Sequence, residues 1–145
     1  MLLRARQILP ITAPPLEDGA VFVSGGAILA VGPWKELRAR FSGPALDLGD
    51  VLLAPGFVNA HCHLEYTHLA GRIAATASFT EWIHALLTAR AGASPDDPSA
   101  AWLSGAEQLL STGTTTVANI ESTPAIALAF RDSTPLRVVS FLEMT

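Results

Sequence analysis

Two histidines flank the chain's single cysteine at His61-Cys62-His63. Side chains at i and i+2 of an extended segment point to the same side, so both imidazoles can meet one metal ion while Cys62 points the other way. Cys62 is therefore not read as a ligand, despite its chemistry. A divalent ion held by three or four nitrogen or oxygen ligands, with one position open, lowers the pKa of its bound water to about 7 and supplies a nucleophile at neutral pH. Two nearby histidines are more often surface or core residues than a metal site. The pair gains its weight from position: it closes an apolar run, Gly56–Ala60, that reads as a strand.

Other side chains with usable chemistry lie downstream. Glu65 follows His63 by two and is expected in the loop after the strand, where it meets either substrate or solvent. His68 lies in the same loop, where a substrate contact competes with the commoner role of an ordinary polar residue. Trp82 sits on an apolar helical stripe, for which core packing is the commoner role, and His84 falls on that helix's polar side. Glu121 and Glu143 each follow a predicted strand. Strand-end carboxylates also cap the next helix; the reading taken is a cap for Glu121 and pocket exposure for Glu143. Asn59 and Asn119 are suited to fixing loops through side-chain hydrogen bonds. The candidates are thus His61 and His63 for metal, and Glu65, His68, Trp82 and Glu143 for substrate.

A particular order of elements must position these groups. Residues 1–54 read as short strands and turns: Leu2–Leu9 closed by Pro10, then Gly19–Ser24 and Ala27–Val31 joined by Gly25-Gly26, a two-residue hairpin signal. Trp34–Phe41 suits one or two helical turns, and Ala45–Ala54 a strand pair interrupted at Gly49. After Pro55 the period changes. Phe79–Arg90 places Phe79, Trp82, Ile83, Leu86 and Leu87 on one face of an amphipathic helix with Gly92 as its C-cap. Asp96, Asp97 and Ser99 suit the cap of a second helix through Ala100–Ser111. Thr114–Ile120 and Leu136–Leu142 read as buried strands, with a third helix at Pro124–Arg131 between them. Strand–helix–strand–helix–strand with continuous apolar strands predicts a parallel sheet. His61 and His63 then stand at the C-terminal end of its first strand, the edge where α/β barrels place their active sites.

Composition narrows the function classes. The chain is 50% hydrophobic and 15% charged, against about 25% charged in typical domains, which excludes disorder as a description of the whole. The net charge is −4, and the one lysine, Lys35, belongs to no basic cluster, which argues against a nucleic-acid partner. One cysteine excludes an internal disulfide framework and fits a reducing compartment. No run approaches the roughly 20 apolar residues of a membrane span, and MLLRARQILPIT lacks a signal-peptide apolar stretch. The expectation is a cytoplasmic globular protein with a small-molecule substrate and no nucleic-acid or membrane partner.

Val51–Leu69, VLLAPGFVNAHCHLEYTHL, resembles the start of the barrel in the amidohydrolase superfamily, and the hairpin with VGP before LDLGDVLLAPGFVNAHCH resembles its lead-in. TGTTTVANI and PLRVVSFLEMT look like the second and third barrel strands. FTEWI is similar to a segment bordering the pocket in the deaminase and chlorohydrolase-like subgroup. The resemblance implies an α/β fold, the N-terminal part of a metal-dependent (β/α)8 TIM barrel preceded by a small β-sandwich, or composite, domain. Residues 1–54 would supply strands of the sandwich and residues 55–145 the first three βα units. It implies one divalent metal, zinc first with iron or manganese as alternates, held in part by His61 and His63. It implies hydrolysis of a non-peptide carbon–nitrogen bond, in a deaminase of an aminopurine-type substrate. HCHLEYTHLAGRI and FTEWIHALLTAR look closest to aminodeoxyfutalosine deaminases.

The family's further ligands, histidines from the fifth and sixth strands and an aspartate from the eighth, have no counterpart here. The acid/base that carries a proton to the departing amine is expected beyond Thr145. Such a barrel needs about 250 residues; at about 30 residues per βα unit, the stretch from Val51 supplies three strands of eight. The expectation is therefore a truncated part of a longer enzyme, inactive alone. Within the superfamily the alternatives are a chlorohydrolase or a cyclic amidase. From another class, the alternative is a non-catalytic small α/β domain or half-barrel, whose open sheet edges call for a homodimer or a chain that completes the barrel.

Overall fold

The computed structural model describes residues 1–94 and 97–143, and the chain divides into two compact units, Met1–Pro55 and Gly56–Thr145. The first contains β1 (Leu2–Ile8), β2 (Leu16–Ser24), β3 (Ala27–Pro33), α1 (Trp34–Arg40), β4 (Ala45–Asp47) and β5 (Leu52–Leu53). Residues expected to supply strands of a β-sandwich form one five-stranded sheet, ordered β3-β2-β1-β4, with β5 also paired to β1. β2 and β3 are antiparallel with Ser24 opposite Ala27. Gly25 and Gly26 between them take φ of 59° and 76°, the pair of positive values a type I′ turn requires and glycine adopts without a Cβ penalty. Leu2, Ala20 and Leu37 form one buried cluster of this unit, and Ala5, Ile8 and Val21 another.

The second unit runs β6 (Phe57–Cys62), a 3-10 segment (Leu64–Leu69), α2 (Phe79–Ala91), α3 (Asp97–Ser111), β7 (Thr114–Glu121), α4 (Pro124–Phe130), a short 3-10 turn (Arg131–Ser133) and β8 (Arg137–Leu142). Its strands form a three-stranded sheet in the order β6-β7-β8, parallel throughout. The core gathers Leu64, Trp102, Ala106, Val117 and Leu136. α3 begins at Asp97, so Ser99 falls inside it, and the cap expected of Asp96 and the Asp97 side chain lies outside the described residues. No helix among the described residues is long and apolar enough to cross a membrane.

The expectation of buried, continuously apolar strands needs correction. β7 buries Thr114, Val117, Asn119 and Glu121, whereas β6 and β8 are largely exposed. Apolar content marks strands that a finished sheet would cover. Among the described residues only β7 has a strand on both sides, and the large side chains of its neighbours, Phe57 and Phe141 among them, stay open to solvent.

Candidate active site

β6 does not reach its end as a regular strand. Asn59 pairs with Val117 and Cys62 with Asn119, so β6 spends one more residue than β7 over this interval. Such a bulge leaves a residue outside the ladder and re-aims the side chains near it. The Asn59 side chain supplies the missing partner, its Oδ1 accepting the His61 N–H at 3.1 Å. His61 is exposed and His63, just past the strand, is half-buried. Their ring centroids lie 5.2 Å apart with the planes at 69°. Two imidazoles bound at about 2.0–2.1 Å to one tetrahedral ion hold their centroids about 5 Å apart. His63 Nδ1 is buried without a hydrogen-bond partner among the described residues. By this spacing the pair fits a shared divalent ion, although no group of three or more His, Cys, Asp or Glu side chains in metal-holding geometry forms among the described residues. Cys62 packs against the core cluster instead. Burial pushes its thiol pKa up, a bond with the His63 backbone opposes that, and the charge of Glu121 adds to it.

The segment after His63 is fastened to β7 and α3. The Leu64 N–H donates to the Asn119 Oδ1 at 2.8 Å in a fully buried bond. Gly105 of α3 allows the close approach, since a Cβ there would stand 2.4 Å from Thr67 Oγ1. The Ser122 N–H donates to Glu65 Oε1 at 2.9 Å. The Ser122 hydroxyl donates to Glu143 Oε2 at 2.6 Å and meets the Tyr66 hydroxyl at 2.8 Å, which also reaches Glu143 Oε2 at 3.3 Å. The Tyr66 ring stacks on His63 at 4.8 Å with the planes 2° apart, and the Arg90 guanidinium carbon lies 4.8 Å from the Tyr66 centroid. The Ser122 hydroxyl bond holds the Glu143 carboxyl below its ordinary pKa against a smaller cost of burial, with His63, Tyr66 and Arg90 assisting. Burial pushes the Tyr66 phenol up, opposed by Ser122 and Arg90.

A cavity of about 790 Å³ brings His61, His63 and Glu143 together with Trp82. The whole apolar stripe of α2, from Phe79 to Leu87, lines it, and α2 has no buried residue. Core packing for Trp82 is thus corrected: the stripe faces a cavity, and Trp82 is 40% exposed. Ser78 caps α2 by accepting the Glu81 N–H at 3.2 Å, and the Glu81 carboxylate accepts the Ala77 N–H at 3.0 Å, so the glutamate of FTEWI is engaged in starting its helix.

Glu65 and His68 lie elsewhere, on a cavity of about 400 Å³ that Arg90 and Thr123 also border. Glu65 is not a loop carboxylate in solvent but is 2% exposed, because the chain turns into a 3-10 segment that packs on α3. His68 is half-buried, with its Nδ1 2.8 Å from the Glu65 carbonyl oxygen. Glu121 does not cap α4, which has no side-chain cap. It is 1% exposed and accepts the Ser140 hydroxyl at 2.9 Å. His84 is exposed. Sequence reasoning missed Tyr66, Ser122 and Arg90; the i+3 spacing of Tyr66 from His63 was the one local signal available.

Residues 52–140, more than half of the chain, match the model of the amidohydrolase family. The chain belongs to the amidohydrolase family. Residues 19–41 of this amidohydrolase-family chain also match the imidazolonepropionase-like composite domain of bacteria. It is 40% identical over 103 residues to the 5-methylthioadenosine/S-adenosylhomocysteine deaminase of Nitratidesulfovibrio vulgaris strain Miyazaki F, covering 69% of this chain and 23% of that protein. Among solved structures it resembles the Helicobacter pylori aminofutalosine deaminase in complex with methylthio-coformycin, at a TM-score of 0.84 and 23% identity, over 99% of this chain and 35% of the other. That likeness is one of fold. An adenosine deaminase from Xanthomonas campestris with bound zinc matches at a TM-score of 0.72 and 29% identity, over 95% of this chain and 32% of the other. The chain spans about a quarter of the length of the curated relatives it matches and about a third of these structures.

Proposed function

We propose that this chain carries two of the metal ligands, His61 and His63, of a zinc-dependent hydrolase that removes the exocyclic amine of an adenine-type nucleoside. The observation that carries this reading is the 5.2 Å pairing of the two imidazoles in the cavity that the apolar face of α2 walls. A relative at 40% identity named as a deaminase of adenine nucleosides supports the substrate class, as does the fold likeness to an aminofutalosine deaminase. In this reading β6, β7 and β8 are the first three strands of an eight-stranded α/β barrel, residues 55–145, and residues 1–54 belong to the composite β domain. The exposed apolar side chains of β6 and β8 support further strands beside them, contributed by more of the same protein or by a partner chain.

The ion, when bound, supplies an acidified water as nucleophile. The chain's own residues do the rest of what is visible. Trp82 and its apolar neighbours offer a flat, apolar face to a planar base. Glu143, held ionised by the Ser122 hydroxyl, accepts a hydrogen bond from a donor of the substrate. Glu65 acts at one remove, by holding the Ser122 backbone. With two imidazoles the chain by itself binds metal weakly and turns over little.

The test is made on the protein purified from its source. Its intact mass reports whether further barrel strands accompany these residues; zinc is measured after dialysis, and ammonia release from 5-methylthioadenosine, S-adenosylhomocysteine and aminodeoxyfutalosine is followed. Retained zinc and ammonia from at least one nucleoside are expected, both lost in His61→Ala and His63→Ala. A protein without zinc, or one whose ammonia release survives both substitutions, would sink the reading.

A further inference from the structure

We propose that Tyr66 is a positioning residue for His63, clamped by Ser122 and Glu143 so that its ring fixes the plane of the imidazole. This rests on the reading of His61 and His63 as metal ligands. A metal-binding imidazole is ordinarily steered by a hydrogen bond from its other nitrogen to a carboxylate, a carbonyl or water, and such outer contacts change metal affinity by about 10–100-fold. His63 Nδ1 has no such partner among the described residues. What the structure gives the ring instead is a parallel stack on Tyr66, at 4.8 Å and 2°.

A stack orients only if its second ring is itself held, and Tyr66 is held from several directions. Its backbone N–H donates to the His63 carbonyl at 3.0 Å. Its hydroxyl meets Ser122 at 2.8 Å and Glu143 at 3.3 Å, and the Arg90 guanidinium lies over its ring. Ser122 follows the last residue of β7 and Glu143 the last residue of β8, and the Glu143 N–H donates to the Glu121 carbonyl at 3.0 Å. The clamp therefore ties the ligand at the end of β6 to the ends of the other two strands of its sheet. The position of β7 and β8 sets the plane in which His63 can offer a nitrogen.

The full chain is compared with Tyr66→Phe, Tyr66→Leu and Ser122→Ala, with His84→Ala on the exposed side of α2 as control. Two readouts are taken: the His63 ring-proton chemical shifts in the metal-free chain, and the zinc dissociation constant by competition with a chromophoric chelator. Tyr66→Leu removes the ring current from His63 and weakens zinc by about tenfold or more. Tyr66→Phe and Ser122→Ala keep the stacked ring but free it, giving intermediate shifts and a smaller loss of affinity; His84→Ala changes neither. Unchanged His63 shifts and zinc affinity in Tyr66→Leu overturn the proposal. If Tyr66→Leu does not fold, unchanged values in both Tyr66→Phe and Ser122→Ala overturn it equally. A protein purified from its source that holds no zinc refutes the ligand reading, while the ring-proton shifts still decide whether Tyr66 holds His63.

Discussion

Tyr66 is the chain's one tyrosine, so phenolate absorbance reports this residue alone. Burial raises its pKa. A group whose folded pKa lies above its unfolded value contributes stability that is complete below the unfolded pKa and is lost as pH rises through the folded one. An alkaline titration of the folded chain should therefore give a midpoint above about 10, falling back in denaturant; equal midpoints would contradict a half-buried, clamped ring. Glu143 runs the opposite way. Its folded pKa is depressed, chiefly by the Ser122 hydroxyl, so its contribution is present above the unfolded pKa and lost as pH falls through the folded value. The clamp is intact between these limits. At this scale the sequence was readable where spacing is local, as in the pairing of the His61 and His63 rings at the end of β6. It was silent on Tyr66 and Ser122, whose hydroxyls meet across 56 residues of sequence, and on Glu65, whose burial depends on where α3 packs.

Elements were legible as elements, and their environments less so. The Gly-Gly hairpin, the helical runs and the parallel strands follow from turn chemistry and period. Period alone does not say whether an apolar face meets a core or a cavity, and the α2 stripe meets a cavity. Gly105 shows how packing reverses a propensity argument. In an exposed helix interior, Gly→Ala stabilises by about 1 kcal/mol. Here the new methyl would stand 2.4 Å from Thr67 Oγ1 and 3.1 Å from Leu64 Cδ2, an overpacking that costs about 1–3 kcal/mol. The 3-10 segment that carries Tyr66 would have to move. Gly105→Ala should lower the melting temperature by several degrees and shift the His63 ring resonances, whereas Ser104→Ala, on the exposed side of the same helix, should do neither. A more stable Gly105→Ala would mean that the segment gives way without cost.

For the molecule as a whole, the deciding feature is the apolar surface left at the sheet edges. Phe57 and Val58 of β6 are 66% and 71% exposed, and Phe141 and Leu142 of β8 are 54% and 64% exposed. Parallel sheets are normally covered on both faces, and open strand edges are templates for pairing. The sequence predicts these strands as buried because apolar composition does not tell whether a face is covered; in the proposed barrel, further strands would cover it. In the proposed reading the imidazole pair shares that dependence, since two ligands would leave an ion under-coordinated. At the concentrations used for spectroscopy the chain should self-associate through β6 or β8, with sedimentation values rising with concentration. Phe141→Lys places a charge on one edge and should shift the chain towards monomer while leaving its folding cooperative, because Phe141 lies outside the buried cluster around Trp102. Trp102→Ala, by contrast, should lose about 3–5 kcal/mol and increase association. A wild-type chain that stays monomeric across that range would show that these strand edges are not sticky. The case for further strands beside β6 and β8 would then lose the observation that supports it.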